Sequence, residues 1–168
     1  FYQGFVAETM ERFCLYEEVL DNSGRKHKGV LNGQDLAGWE ATYEAPLTYH
    51  YAGLEIGKCG PWSQGPVQLQ ILALSNEMGV ADWNPVSTDF VHGVTEALKL
   101  AFADREAYYG DPDFVKVPLK QLLSREYNRE RSKEISDRAS LELRPGKISG
   151  FEVRMPEFDS SGRGDERF

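Results

Sequence analysis

Residues 88–118 carry the strongest structural signal of the chain, a helical apolar pattern that ends at a glycine and a proline. Apolar side chains recur at intervals of three and four residues, which places them on one face of a helix. These side chains are Phe90, Val91, Val94, Leu98, Ala101, Phe102, Tyr108 and Tyr109. Gly110 and Pro112 then end the helix, because glycine favours a helix terminus and proline cannot continue one. The pattern predicts a helix over residues 88–109 with this face buried, Leu98 included.

Patterns elsewhere in the chain predict further helices and one region of strands. The predicted helices cover residues 2–20, 31–39, 66–79 and 118–136. Asn32 and Ser87 or Thr88 are suited to the N-cap positions of two helices. β-forming residues over 40–60 surround Gly53 and favour a hairpin. We therefore predict an α+β fold in which helices dominate, with a short pair of strands near residues 40–60.

The last part of the chain differs in composition from the rest. From Arg144 onward there are two prolines, four glycines and little periodicity. We predict a helix-rich fragment over residues 1–143 and a flexible tail over residues 144–168. Phe1 is not a methionine and falls inside a helical pattern, so we expect the chain to be a piece of a longer protein, with any targeting signal upstream.

The charge balance argues against two classes of partner. The formal net charge is −8, whereas nucleic acids and anionic membrane surfaces attract clustered lysines and arginines. No apolar run approaches the roughly 20 residues that span a bilayer. Cys14 and Cys59 are too few for a disulfide framework, and they favour two buried free thiols over a single bridge.

Asp111 and Asp113 flank Pro112 after the long helix and suggest either a cation site or a capped turn. A hard cation needs more oxygen ligands at regular spacing, which favours the turn. Asp104 and Arg105 are placed either to line a polar pocket or to form an ion pair. Arg105 falls on the predicted apolar face, and this favours a pair with a carboxylate inside the protein.

The other residues with chemical potential lack a catalytic or metal-binding pattern. His27, His50 and His92 are scattered without the spacing of a metal site. Ser63 lies in Gly-Pro-Trp-Ser-Gln-Gly, which is neither a nucleophile elbow nor a phosphate-binding loop. We interpret Ser63 as the cap of a helix that begins near Pro66. The residues therefore predict no metal site and no cofactor, and the charged outer face of the 118–136 helix is interpreted as solvated.

Four segments of the chain resemble, in the same order, the large subunit of the gamma-glutamyltranspeptidase family. The most specific is ALKLAFADREAYYGDPDFVKVP, residues 97–118. The others are FYQGFVAE, LNGQDLAGWEATYEAPLTYHYAGLEI and GPWSQGPVQLQIL. Together they cover about residues 1–136. The resemblance implies the αββα fold of N-terminal-nucleophile hydrolases, to which this chain contributes a helix-rich part.

In this family one precursor cuts itself into a large and a small subunit. The small subunit begins with a threonine, whose hydroxyl is the nucleophile and whose freed α-amino group is the base. No Thr-Thr-His or similar run occurs in this chain. The resemblance therefore implies the C-terminal part of a large subunit, with residues 144–168 leading toward the processing site. It implies two partners, a small subunit and a small γ-glutamyl substrate of the glutathione type.

No catalytic or substrate-binding residue of the family transfers to this chain, so we expect it to be inactive alone. The chain departs from the family's Pro-Pro-x-Ser-Gly-Gly run, because Trp62 and Gln64 add bulk where small residues are usual. This departure leaves open an amidohydrolase or acylase that acts on another acyl group. A third alternative is a non-catalytic scaffold that keeps the shape of the large subunit.

Overall fold

The computed structural model describes residues 1–21 and 24–154 of the 168-residue chain. In this range the chain forms two compact units, residues 1–43 and residues 44–154. Each unit combines helices with a two-stranded antiparallel sheet. The predicted α+β fold with dominant helices is confirmed.

The first unit is built from two helices and a short hairpin. Its elements are α1 (Phe5–Tyr16), β1 (Glu18–Leu20), β2 (Lys26–Lys28) and α2 (Gly33–Gly38). The Asn32 side chain accepts hydrogen bonds from the backbone N–H groups of Gln34 at 2.8 Å and Asp35 at 3.2 Å, which confirms it as an N-cap. The Asp35 carboxylate accepts the Asn32 N–H in return at 3.0 Å and so completes a capping box.

The predicted helix over residues 2–20 is too long. The chain leaves helical geometry at Glu17, and residues Glu18–Leu20 pair antiparallel with Lys26–Lys28. Glu18 faces Lys28 across this pair. The hairpin ends the helix because its backbone hydrogen bonds replace those of a further helical turn, and approximate apolar spacing did not reveal it.

The second unit places a hairpin before a set of packed helices. Its elements are β3 (Leu47–Tyr51), β4 (Leu54–Lys58), α3 (Gly65–Glu77), a 3-10 turn (Val80–Asp82), α4 (Thr88–Tyr108), α5 (Leu119–Leu122) and α6 (Arg125–Ser132). The predicted hairpin is confirmed, with Ala52 and Gly53 both at positive φ in the two-residue turn. Ser87 caps α4 by accepting the Phe90 N–H at 3.2 Å, as predicted. Gly79 follows α3 in a left-handed conformation.

The predicted helix over residues 118–136 is divided into α5 and α6. Ser124 interrupts it in an extended conformation and caps α6 by accepting the Tyr127 N–H at 3.3 Å. The buried Asn128 side chain donates to the carbonyl oxygens of Leu122 and Ser124, both at 2.8 Å. The bond to Leu122 satisfies a carbonyl group at the end of α5, and the bond to Ser124 adds to the helical one that this oxygen already accepts from the Asn128 N–H at 3.1 Å.

The buried face of α4 coincides only in part with the predicted one, since Ala101 and Tyr108 are buried but Leu98 and Val91 are not. Leu98 is 36% exposed and Val91 is 59% exposed. The buried residues of α4 are Gly93, Glu96, Ala97, Leu100, Ala101, Ala103, Asp104, Ala107 and Tyr108. This face is rich in alanine, which lets α3 approach closely, and it carries two carboxylates that apolar spacing assigns to the outside. The predicted burial of Leu98 and Val91 is therefore wrong, because the centre of the buried face lies on the alanine positions rather than on the largest apolar side chains.

Residues 140–148, which we call the strap, have no regular secondary structure but lie against α4 and α6. Ile148 is buried in an apolar cluster with Ala107, Tyr108 and Leu122. The sequence assigned residues 144–148 to a flexible tail, and the structure ties them to two helices. Most of the predicted tail, residues 155–168, lies outside the described residues.

Two further findings concern the cysteines and membrane spans. Cys14 and Cys59 are free thiols, but Cys59 is exposed and Cys14 only partly buried, so the predicted burial of both is wrong. Within the described residues, no helix combines the length and apolar character needed to cross a bilayer.

Candidate functional site

The most concentrated polar chemistry of the second unit surrounds Asp104, which is fully buried on α4. One carboxylate oxygen accepts hydrogen bonds from the Gly146 N–H at 2.7 Å and from Arg131 Nη2 at 3.2 Å. The other accepts from Gln70 Nε2 at 2.6 Å and from the Tyr127 hydroxyl at 2.9 Å. Four donors, from α3, α6 and the strap, therefore meet at one carboxylate of α4, and each of its oxygens accepts two hydrogen bonds from the protein.

Charges within this cluster compensate each other. The Arg131 side chain is only 3% exposed. Burial alone would lower the pKa of Arg131, but the carboxylates of Asp104 and Glu134 outweigh it and raise that pKa above its usual value. Burial and the nearby Asp104 charge raise the pKa of Tyr127, so its hydroxyl stays protonated and continues to donate. The cluster is a structural network in which the donors to Asp104 all come from the protein itself.

A second buried carboxylate, Glu96, lies two turns earlier on the same helix. One oxygen accepts from Lys99 Nζ at 2.6 Å and from the Ser140 N–H at 3.3 Å, and the other accepts from Arg144 Nη2 at 3.0 Å. Burial acts to raise the pKa of Glu96, but the hydrogen bonds from Lys99 and Ser140 prevail and lower it. Glu96 is therefore held as a charged anchor for the strap.

An open cavity of about 750 Å³ lies at the start of α4. Its lining residues are Met78, Trp83, Asn84, Ser87, Asp89, His92, Gly93, Ser132, Ile135 and Ser136. Trp83 packs so closely against the helix that a Cβ on Gly93 would lie 2.5 Å from the indole. His92 Nε2 lies 2.7 Å from the Ser136 carbonyl oxygen, a contact that suits a ring N–H donor. The imidazole is thus engaged in joining α4 to the chain after α6.

The candidate acids and bases identified in the sequence have local structural roles. Asp111 accepts the Asp113 N–H at 2.9 Å and closes the turn after α4, as the turn interpretation expects. Arg105 pairs with its neighbour Glu106 and lies over the Phe102 ring at 4.9 Å. Arg105 therefore forms an ion pair, but at a partly exposed position. The buried arginine–carboxylate pair is instead Arg131–Asp104.

The remaining candidates also bind local groups. His27 Nδ1 lies 2.6 Å from an Asp21 carboxylate oxygen, and His50 Nε2 lies 3.4 Å from a Glu55 oxygen, both at exposed positions. Over residues 1–21 and 24–154, no three or more His, Cys, Asp or Glu side chains are grouped as a metal site requires.

The Gly60–Gly65 loop is held by side-chain hydrogen bonds. Ser63 Oγ accepts the Gly65 N–H at 3.0 Å, so it satisfies the first N–H of α3, although Gln64 occupies the N-cap position itself. The Trp62 indole N–H donates to Glu44 at 2.9 Å, and the Gly60 N–H donates to the same oxygen at 3.2 Å. The indole is otherwise largely exposed.

Sequence reasoning missed Glu96 and Arg131. The sequence patterns single out neither residue, although Arg131 lies in the predicted 118–136 helix, whose charged outer face is interpreted as solvated. The available signal was the set of alanines at 97, 101, 103 and 107, which marks a closely packed face and includes the positions of both carboxylates. Lys99 is only three residues from Glu96, but the arginine partners, Arg144 of Glu96 and Arg131 of Asp104, are distant in the sequence and could not be assigned from it.

The family description for gamma-glutamyltranspeptidase matches residues 1–161 of the chain. The chain belongs to the gamma-glutamyltranspeptidase family. Among curated proteins, the glutathione hydrolase proenzyme of Escherichia coli strain K12 is 32% identical over 156 residues, which cover 90% of this chain and 25% of that protein.

Solved structures agree with this assignment. LmbA2991HD superposes with a TM-score of 0.74 at 48% identity, over 92% of this chain and 26% of the other. The cephalosporin acylase from Bacillus halodurans superposes with a TM-score of 0.67 at 32% identity, over 88% of this chain and 25% of the other. The chain thus has the fold of part of an N-terminal-nucleophile hydrolase and spans about a quarter of the length of these relatives.

Proposed function

We propose that the chain is the C-terminal part of the large subunit of a gamma-glutamyltranspeptidase-like enzyme. The complete enzyme transfers or hydrolyses γ-glutamyl groups from donors of the glutathione type. Its nucleophile is the N-terminal threonine of a separate small subunit, which forms when the precursor is cut. The observation that carries this proposal is the family match over residues 1–161, supported by the glutathione hydrolase proenzyme relative.

The buried polar side chains of the second unit favour a structural rather than a catalytic role for this chain. Asp104 and Glu96 are buried, and both oxygens of each accept hydrogen bonds from protein donors, so neither is placed to act as a general base. Ser63 accepts one backbone N–H and donates to the Gly60 carbonyl oxygen at 2.9 Å, without a neighbouring base. These side chains hold the fold, and the reactive hydroxyl and amine come from the partner subunit.

The first experiment tests the origin of the nucleophile. The complete open reading frame is expressed, the two expected subunits are separated, and the N-terminus of the smaller one is sequenced. We expect a threonine at that N-terminus and release of aniline from a γ-glutamyl anilide by the processed enzyme. The 168-residue chain alone is expected to give no turnover.

A serine, a cysteine or an unprocessed chain at this step would contradict the proposal. Turnover by the purified 168-residue chain would contradict the placement of the nucleophile. A reading frame that ends near Phe168 would instead favour a scaffold that keeps the large-subunit shape.

A second candidate is an acylase that cleaves a non-glutamyl amide. Two observations support it, the similarity to the cephalosporin acylase and the Trp62–Glu44 hydrogen bond, which fixes an indole in the Gly60–Gly65 loop. Parallel assays with a γ-glutamyl anilide and with glutaryl and aliphatic anilides separate the two candidates. We expect kcat/KM to be highest for the γ-glutamyl substrate, and a preference for the others would favour the acylase.

A further inference from the structure

The strap is held by directional hydrogen bonds rather than by apolar packing alone. Glu96 accepts from the backbone of Ser140 and from the side chain of Arg144, and Asp104 accepts from the backbone of Gly146. The Arg144 side chain also donates to the Glu134 carbonyl oxygen at 2.8 Å. The strap is therefore attached at three positions within seven residues, each by a different donor.

The strap is attached through buried charged groups, although apolar packing could attach a loop as stably. An ion pair buried in a protein often stabilises it no more than well-packed apolar residues of similar volume would. What a carboxylate adds is direction, because each oxygen accepts a hydrogen bond from a particular N–H group. The arrangement thus favours one register of the strap on α4, whereas apolar contacts tolerate small shifts.

Gly146 shows how closely the register is set. The Gly146 carbonyl oxygen accepts the Tyr108 hydroxyl at 2.6 Å, while Arg131 Nη2 donates to the Arg144 carbonyl oxygen at 2.6 Å. A Cβ on Gly146 would lie 2.7 Å from Cδ and Nε of Arg131. The strap therefore passes against the Arg131–Asp104 pair with no room for a side chain.

The chain keeps contact with α4 after the strap. Ile148 is buried beside Tyr108 and Leu122, and the Arg154 N–H donates to the Ala107 carbonyl oxygen at 3.2 Å. The path of the chain is therefore fixed relative to α4 up to Arg154.

We propose that Glu96 and Asp104 are positioning residues for cutting of the precursor. By setting the register of the strap, they determine where the following segment, which leads to the cut, enters the processing site. This inference rests on the proposed function. In the net reaction, the C–N bond before the threonine breaks and one water is consumed. The water oxygen joins the carbonyl carbon to give a carboxylate, and the threonine keeps the nitrogen as a free ammonium group.

The experiment follows the appearance of the small subunit in the complete precursor. Gly146→Ala displaces the strap directly, and Arg144→Met removes its bonds to Glu96 and to the Glu134 carbonyl while keeping much of the side-chain length. Leu74→Ala, in the apolar core and outside the strap contacts, is the matched control for general destabilisation. Rates are compared at a temperature at which each precursor is folded by circular dichroism, and hydrogen exchange reports the protection of residues 140–154.

We expect Gly146→Ala to slow processing by about 10- to 100-fold, since misplacing a reacting group by about 1 Å can cost about 100-fold. Arg144→Met should slow it by about 3- to 10-fold, a change of less than about 1.4 kcal/mol in the barrier. Both variants should lose protection in the strap, and the small fraction that is processed should retain the wild-type kcat.

Unchanged processing in both variants, despite lost protection in the strap, would overturn the inference and leave the proposed function intact. Equal slowing in Leu74→Ala would also overturn it, because it would show an effect of stability alone. A wild-type precursor that is never cut would instead overturn the proposed function, and with it this inference.

Discussion

The two units of the chain are stabilised in different ways. In the first unit, Ala7 and Leu36 are the buried apolar side chains among the described residues, while Phe5 is 79% exposed. Its order comes from hydrogen bonds, such as the local capping box at Asn32 and the longer-range bond from the Gly33 N–H to Glu11 at 2.9 Å. The second unit surrounds an apolar core of Val67, Leu74, Ala97, Leu100 and Ala101 with buried, paired charges.

The difference shows that helical content does not measure how much a region contributes to stability. A capping interaction is worth about 1 kcal/mol, whereas a buried leucine truncated to alanine costs about 2–5 kcal/mol. We therefore expect substitutions in the second unit to dominate the free energy of unfolding of the 168-residue chain. Three pairs of substitutions and one single substitution test this expectation.

The largest effect is expected for Asp104→Ala in the second unit. Removing the carboxylate leaves the buried Arg131 with only the partly exposed Glu134 as an ion-pair partner, and it removes the acceptor of Gln70 and Tyr127. The free energy of unfolding should therefore fall by about 3–5 kcal/mol. The matched control is Asp35→Ala in the first unit, an exposed acid in the first turn of α2, which should cost less than about 1 kcal/mol. Urea unfolding followed by circular dichroism measures both. Equal losses would show that the two units depend on charge to the same degree.

Within the second unit, Leu74→Ala and Leu98→Ala should separate a core position from a surface position. Leu74 is fully buried, so its truncation should cost about 2–5 kcal/mol. Leu98 is exposed on α4 and should cost about 1 kcal/mol or less. If chemical denaturation gives the reverse order, the buried face of α4 is the one that apolar spacing predicts.

Two glycine substitutions compare close packing with open space. Gly93→Ala places a methyl group against Trp83 and should cost about 1–3 kcal/mol through overpacking. Gly38→Ala in α2 meets no atom within 4 Å and should leave stability unchanged or raise it by up to about 1 kcal/mol. Thermal unfolding of both variants decides the matter, and a destabilising Gly38→Ala would indicate that α2 is packed.

The smallest effect is expected for Phe5→Ala at the start of α1. Its side chain is mostly exposed in this chain, so the change in the free energy of unfolding should be about 0.5 kcal/mol or less. A loss above about 2 kcal/mol, in the range of a buried aromatic residue, would show that the first unit buries its aromatic residues after all. Equilibrium unfolding in guanidinium chloride provides the measurement.

Local signals predicted most elements of both units. Asn32, Gly53 and Ser87 each act on backbone groups within three residues, so their roles as caps and turn were visible in the sequence. The β1–β2 hairpin and the break at Ser124 were missed. In both, competing backbone or side-chain hydrogen bonds overrode an apparently continuous helical pattern.

The candidate site was predictable only in part. The sequence favours an ion-pair role for Asp104 and Arg105, with Arg105 paired to a carboxylate inside the protein, but it names no partner for Asp104. The actual partners, Gln70, Tyr127, Arg131 and Gly146, lie between 23 and 42 residues away along the chain. No local spacing rule connects groups at such separations.

The amino-acid sequence by itself determined where helices begin, where the hairpin turns and to which family the chain belongs. These features depend on short-range backbone chemistry or on an ordered series of segments. Only the tertiary structure decided which face of α4 is buried and which base neutralises each buried acid. The physical reason is that desolvating Glu96 and Asp104 becomes favourable only when donors from α6 and the strap converge on them, and that convergence exists only in the folded chain.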